Sequence, residues 1–168
     1  MNDGLVDAFR HNAWATGELL AVAQNLTEDQ LHATVPGTYG SIIDTLWHIL
    51  SSEASYYTRL TGNRPPWYQR GRETPSLAEL ATYLDDMAQR WDRFLEEPFD
   101  AERTLVVAWE DGFDRDVPAG VILAQALHHG NEHRAHICTV LTSLGIPTPD
   151  LGVWDYAEAT GRAKRRTS

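Results

Sequence analysis

The chain has a single cysteine, Cys138, so no disulfide can form within it and a cysteine-built zinc site is excluded. It also lacks basic excess. Its 24 acidic residues outnumber 14 lysines and arginines, giving a net charge of −10. A nucleic-acid surface needs the reverse, a concentrated basic patch that neutralises phosphates. The one basic cluster, residues 162–166, is short and terminal, and reads as a frayed end rather than an arm. No apolar run approaches the length of a membrane span. Residues 1–4 lack the basic and apolar regions of a signal peptide. The expectation is a cytoplasmic protein with neither nucleic-acid nor membrane partners. Ser-His-Asp motifs, phosphate-binding glycine loops and nucleotide fingerprints are also missing.

What remains is a globular composition, 42% hydrophobic and 10% aromatic over 168 residues, enough for one core. We expect one helical domain over residues 1–161 and a basic tail at 162–168. Leu5, Phe9, Ala13, Leu19, Leu20, Ala23 and Leu26 recur at helical intervals over about residues 3–25. Thr27 to Gln30 has the form of a capping box. Residues 36–40 are loop by composition, and Ser41 can cap a second long helix whose stripe runs from Ile42 to Leu60 before Thr61-Gly62. Residues 63–75 carry three prolines with Trp67 and Tyr68, and predict a long loop that covers a site, makes a dimer contact or folds back to cap the core. A third helix opens at Ser76, with Glu79 completing a capping box, and ends before Pro98. Residues 104–109 and 113–117 flank Asp111-Gly112 and read as a small hairpin. The fourth long helix covers about residues 118–144 and a last short one about 150–161. Four long amphipathic helices imply an all-α four-helix bundle. The longer connections, after the second and third long helices, permit crossovers.

Four of the seven histidines lie within residues 128–136, His-His-Gly-Asn-Glu-His-Arg-Ala-His. His129 and His133 are one turn apart on one helical face, and His136 comes round to nearly the same face. Imidazoles spaced this way can share a divalent metal, although H-x-x-x-H-x-x-H lacks the glutamate of zinc proteases. His48, in an apolar stretch of another helix, is the candidate third ligand, and bundle cores build metal sites by such convergence. His133 with His136 is an alternative chelating pair. Asp44, one turn before His48, and Glu132, beside His133, are candidate acceptors to orient a ligand ring. His128 points away from the ligand face, Arg134 reads as exposed or ion-paired, and Cys138 reads as a structural thiol. Three neutral imidazoles leave a metal its full charge and an open position, where a water or thiol can be ionised. Ligand type admits zinc or nickel.

Three segments carry a family resemblance. Phe9-Arg10-His11-Asn12-Ala13-Trp14, Gly40-Ser41-Ile42-Ile43-Asp44-Thr45-Leu46-Trp47-His48-Ile49-Leu50 and His129-Gly-Asn-Glu-His133-Arg134 together resemble the signatures of the DinB/YfiT-like superfamily. The resemblance implies a four-helix bundle of unusual connectivity and a metal held by His48, His129 and His133, favouring His129 over His136. Where the family commonly has Gly-Gln after the arginine, this chain has Ala135 and His136. Members with assigned activities use low-molecular-weight thiols, as S-transferases for bacillithiol, mycothiol or glutathione and as relatives of maleylpyruvate isomerase. The resemblance therefore implies a metal-dependent thiol S-transferase or isomerase acting on a small-molecule substrate. The alternative is a non-catalytic module of the same fold that binds a metal or small ligand.

Overall fold

The computed structural model describes residues 3–109, 111–164 and 166. Four long helices, α1 (Asp3–Ala23), α3 (Ile42–Thr61), α4 (Leu77–Glu96) and α5 (Ala119–Ser143), form a bundle. Short helices α2 (Glu28–Leu31) and α6 (Val153–Ala159) flank it, and strands β1 (Thr104–Ala108) and β2 (Asp114–Pro118) pair antiparallel between α4 and α5. Among the described residues no helix is long and apolar enough to cross a membrane.

Local chemistry sets the ends. The Thr27 and Ser76 hydroxyls accept from the Gln30 and Glu79 amides in complete capping boxes. Ser41 caps α3 by accepting from the Asp44 amide. At its other end Gly62 takes φ 75°, the left-handed conformation in which glycine carries no Cβ penalty.

Helix α1 packs on α4 and α5, and α3 packs on the same two, so α1 and α3 face each other across a diagonal. The chain therefore crosses the bundle between α1 and α3 and again between α4 and α5. The connection after α3, long enough for a crossover, joins neighbours instead. Its length is taken up by packing: Trp67 stacks on Tyr83 at 4.4 Å and donates through Nε1 to Asp86 at 2.7 Å. Arg72 beside it donates to the Tyr83 hydroxyl and to Glu79. Trp67 thus closes the core, the fold-back role among the three open to this loop.

The interior holds two apolar clusters. One gathers Leu19, Leu46, Ile49, Leu80, Ile137 and Leu141; the other gathers Phe9, Tyr57, Met87, Trp91, Ile122 and Leu123. Between them in sequence on three of the four long helices lie buried polar residues: Asn12 and Thr16 on α1, Glu53 on α3, His133 and Arg134 on α5. This polar layer was not expected for Arg134, which is only 3% exposed. Burial can retain a guanidinium only if donors are matched to acceptors. Arg134 Nη1 donates to Asn12 Oδ1 at 2.7 Å, to Thr16 Oγ1 at 3.2 Å and to the Asn12 carbonyl at 3.3 Å. Asn12 Nδ2 in turn donates to Glu53 Oε1. The amide thus relays between a buried cation and a buried acid. Burial pushes the Glu53 carboxyl up to about 6, opposed by the Asn12 bond and the Arg134 charge, and lowers Arg134 to about 10. At the C-terminal end, Arg162 pairs with Asp7 and the Ala163 amide donates to the Ala157 carbonyl. Arg165, Thr167 and Ser168 of the expected tail lie outside the described residues.

Candidate metal centre

Helix α3 turns its apolar stripe, Ile42, Leu46, Ile49 and Leu50, into the core, which leaves His48 half-buried at the stripe's edge facing α5. On α5 the buried positions run from Ala119 through Ile122, Leu123, Ala126 and Gly130 to Ile137, Val140 and Leu141, with His133 and Arg134 among them, so His133 occupies a core position and is 8% exposed. His129, one turn earlier, is half-buried. Because α3 and α5 are packed neighbours, their histidines meet.

One nitrogen from each of His48, His129 and His133 falls in a group whose members all lie within 4.8 Å of one another. His48 Nε2 and His129 Nε2 are 3.0 Å apart. A tetrahedral ion with Zn–N bonds near 2.0–2.1 Å separates its ligand nitrogens by roughly 3.3 Å, so the grouping fits one ion. Burial argues the same way. His133 Nδ1 is buried without a hydrogen-bond partner among the described residues, an arrangement that costs free energy unless the ring gains something else. The Nδ1 atoms of His129 and His136 are also buried without one, and an ion on His129 Nε2 would leave that of His129 so.

The electrostatics keep these rings in their ligating form. Burial lowers His48 to about 4 and His129 to about 3, with neighbouring histidines repelling a proton further. His133 is lowered by burial and by His136, against a small opposite pull from Glu132. A metal displaces protons from histidine, so affinity must fall as pH drops, but the fall starts at the folded pKa. With ordinary histidines of pKa 6.5 each ring would cost about tenfold per pH unit below that value. Here the contributions of His48 and His129 should hold nearly constant from pH 7 to about 5 and be lost below about 4. Between pH 6.5 and 5 affinity should therefore fall by no more than one ring allows, at most about tenfold per pH unit, as measured by metal titration across that range. A steep decline beginning at pH 6.5 would show the rings to be solvated.

The remaining residues sort as follows. His136 lies beside His133, ring centroids 5.2 Å apart, but outside the group of three. Asp44 does not orient His48: its carboxylate accepts from Ser41 Oγ at 2.6 Å and Thr74 Oγ1 at 2.7 Å, because it serves the start of α3. His128 is exposed, and Glu132 is exposed and acts on His133 only through its charge. Cys138 packs at the edge of the first apolar cluster, where burial raises its thiol, as a structural role requires. Sequence reasoning missed Tyr39. Its ring lies parallel to His48 at 3.9 Å and 16°, and edge-on to His133 at 5.1 Å. Tyr56 stands edge-on to His129 at 5.7 Å. An aromatic in the loop entering a histidine-bearing helix is a faint signal, too common to single out.

A family model described as the DinB family matches residues 1–166. No curated protein matches the sequence significantly. Among solved structures, the chain is similar to a DinB-like protein from Bacillus cereus ATCC 10987, with a TM-score of 0.69 at 18% identity, covering 89% of this chain and 96% of that one. It is also similar to YfiT from Bacillus subtilis, described as a probable metal-dependent hydrolase with an unusual four-helix bundle topology. That match has a TM-score of 0.65 at 16% identity and covers 88% of this chain and 91% of that one. At these identities the likeness shows the fold.

Proposed function

Because the chain belongs to the DinB family, we propose that it is a metal-dependent enzyme in which His48, His129 and His133 hold one divalent ion, zinc or nickel, and a low-molecular-weight thiol is the co-substrate. The observation that carries this reading is the ligand set: three imidazoles and, among the described residues, no carboxylate or thiolate in the group. Closed structural zinc sites take four protein ligands, whereas three leave a position for chemistry. An ion there would supply undiminished positive charge that lowers the pKa of a thiol or water. The chain's own contribution is to keep the imidazoles neutral by burial, to hold α5 in register through Arg134, and to shield the rings from water with Tyr39. In S-transfer to 1-chloro-2,4-dinitrobenzene, a sulfur–carbon bond forms at the ring, chloride leaves, and the thiol proton passes to solvent.

Metal-loaded protein should transfer at least one of bacillithiol, mycothiol and glutathione to that electrophile, and His133→Ala should not. A second reading is metal-dependent hydrolysis, supported by the description of YfiT; activity on nitrophenyl esters without any thiol would favour it. Inactivity of metal-loaded protein in all these assays would leave a binding module of the same fold.

A further inference from the structure

The residue that covers the histidine cluster belongs to neither helix that supplies it. Tyr39 is fixed by short-range structure on both sides. Thr38 before it closes a turn, its amide and hydroxyl both donating to the Val35 carbonyl at 3.2 and 2.7 Å, and Ser41 two residues later caps α3. So held, the ring stacks on His48 and meets His133 with its edge, yet remains 50% exposed. Its hydroxyl has no protein partner among the described residues, unlike Tyr56, whose hydroxyl accepts from Gln125 Nε2 at 3.5 Å. An aromatic ring with one face on a ligand histidine and much of its surface open is placed to meet whatever approaches the cluster.

The charges around the cluster narrow what that can be. The ionisable groups that act on the three imidazoles are one another, His136 and Glu132. The adjacent cation, Arg134, faces the other way into the core, where Asn12 and Thr16 occupy its Nη1. Among the described residues, no guanidinium or ammonium acts on the three rings that could meet a carboxylate or phosphate on the ligand's body, and Glu132 would repel one.

We propose that Tyr39 is the ligand-contacting wall of this centre, selecting a molecule with one soft anionic donor for the metal and a neutral, planar body that packs on the tyrosine ring. An arenethiol fits this description; of the three thiols named above, carboxylate-free mycothiol comes nearer to it than glutathione or bacillithiol, each of which bears two carboxylates. The inference rests on the thiol reading above and adds the class of thiol to it. Contact between two aromatic rings contributes about a tenfold preference when one is removed.

The test uses cobalt-loaded full-length protein, followed by the cobalt visible spectrum and sulfur-to-cobalt absorption, with thiophenol and mercaptosuccinate as probes. Tyr39→Ala should bind cobalt as the wild type does but lose about tenfold in thiophenol affinity, with mercaptosuccinate changed less than twofold. Tyr39→Phe, which keeps the ring, should retain thiophenol affinity within about twofold. Equal loss for both thiols, or no loss for either, overturns the assignment of Tyr39 while leaving the thiol reading intact. Loss of cobalt by Tyr39→Ala makes Tyr39 a support for His48 and also overturns it. If the wild-type cobalt protein binds neither thiol, the thiol reading itself fails.

Discussion

Replacing His133 with alanine should lower affinity for a divalent ion by more than roughly 100-fold, and His48→Ala and His129→Ala should do the same. Removing a group that merely orients a metal ligand already costs 10–100-fold, and each of these rings supplies one of the three nitrogens grouped among the described residues. His136→Ala is the control: its ring touches His133 but stands outside the group, so affinity should change by less than about tenfold. The same series has a second signature. An ion that binds the folded state alone stabilises it by about 2.7 kcal/mol at 100 times its Kd, so added zinc should raise the melting temperature of the wild type and His136→Ala only. Competition against a chromogenic chelator gives the affinities. Full occupancy in any one of the three variants would remove that residue from the centre.

Asn12→Ala should cost about 3–5 kcal/mol in urea unfolding, the range for breaking one member of a buried charged network. Asn12 joins Arg134 to Glu53, which are 3% exposed each and do not pair directly among the described ion pairs. Without the amide both would be buried without their shared partner. Gly130→Ala tests the same layer sterically. A Cβ there would lie 2.6 Å from Asn12 Oδ1 and 3.0 Å from Arg134 Nη1, so the bond between them must give. Mid-helix alanine ordinarily stabilises relative to glycine by up to about 1 kcal/mol, so even modest destabilisation would carry the opposite sign. Losses below about 1 kcal/mol for Asn12→Ala, with Gly130→Ala stabilising, would mean the polar layer is not structural.

The helices were legible because each has period, cap and stop in one continuous segment. Ser41 and Gly62 bracket α3 and Ser76 with Glu79 opens α4 where the composition placed them. The crossings were not, since a loop's length does not say whether it spans a diagonal or folds back, and Trp67 spends its loop on Tyr83. The three histidines were accessible from i,i+4 spacing and family resemblance. The polar layer left a trace that could have been used: Asn12, Glu53 and Arg134 sit at positions where the apolar stripes of their helices call for a hydrophobic residue. What spacing cannot give is the partner of each, because that depends on helices 41 and 122 residues apart in sequence. Asp44 misled for the opposite reason: one turn from His48 it looked like an orienting carboxylate, but the helix start claimed it first.

The most direct test of the metal centre is anomalous diffraction at the zinc edge from crystals of zinc-loaded protein. One peak per chain is expected, about 2.0–2.1 Å from Nε2 of His48, Nε2 of His129 and a ring nitrogen of His133. A peak held instead by His133 and His136, or no ordered peak in protein carrying stoichiometric zinc, would contradict it.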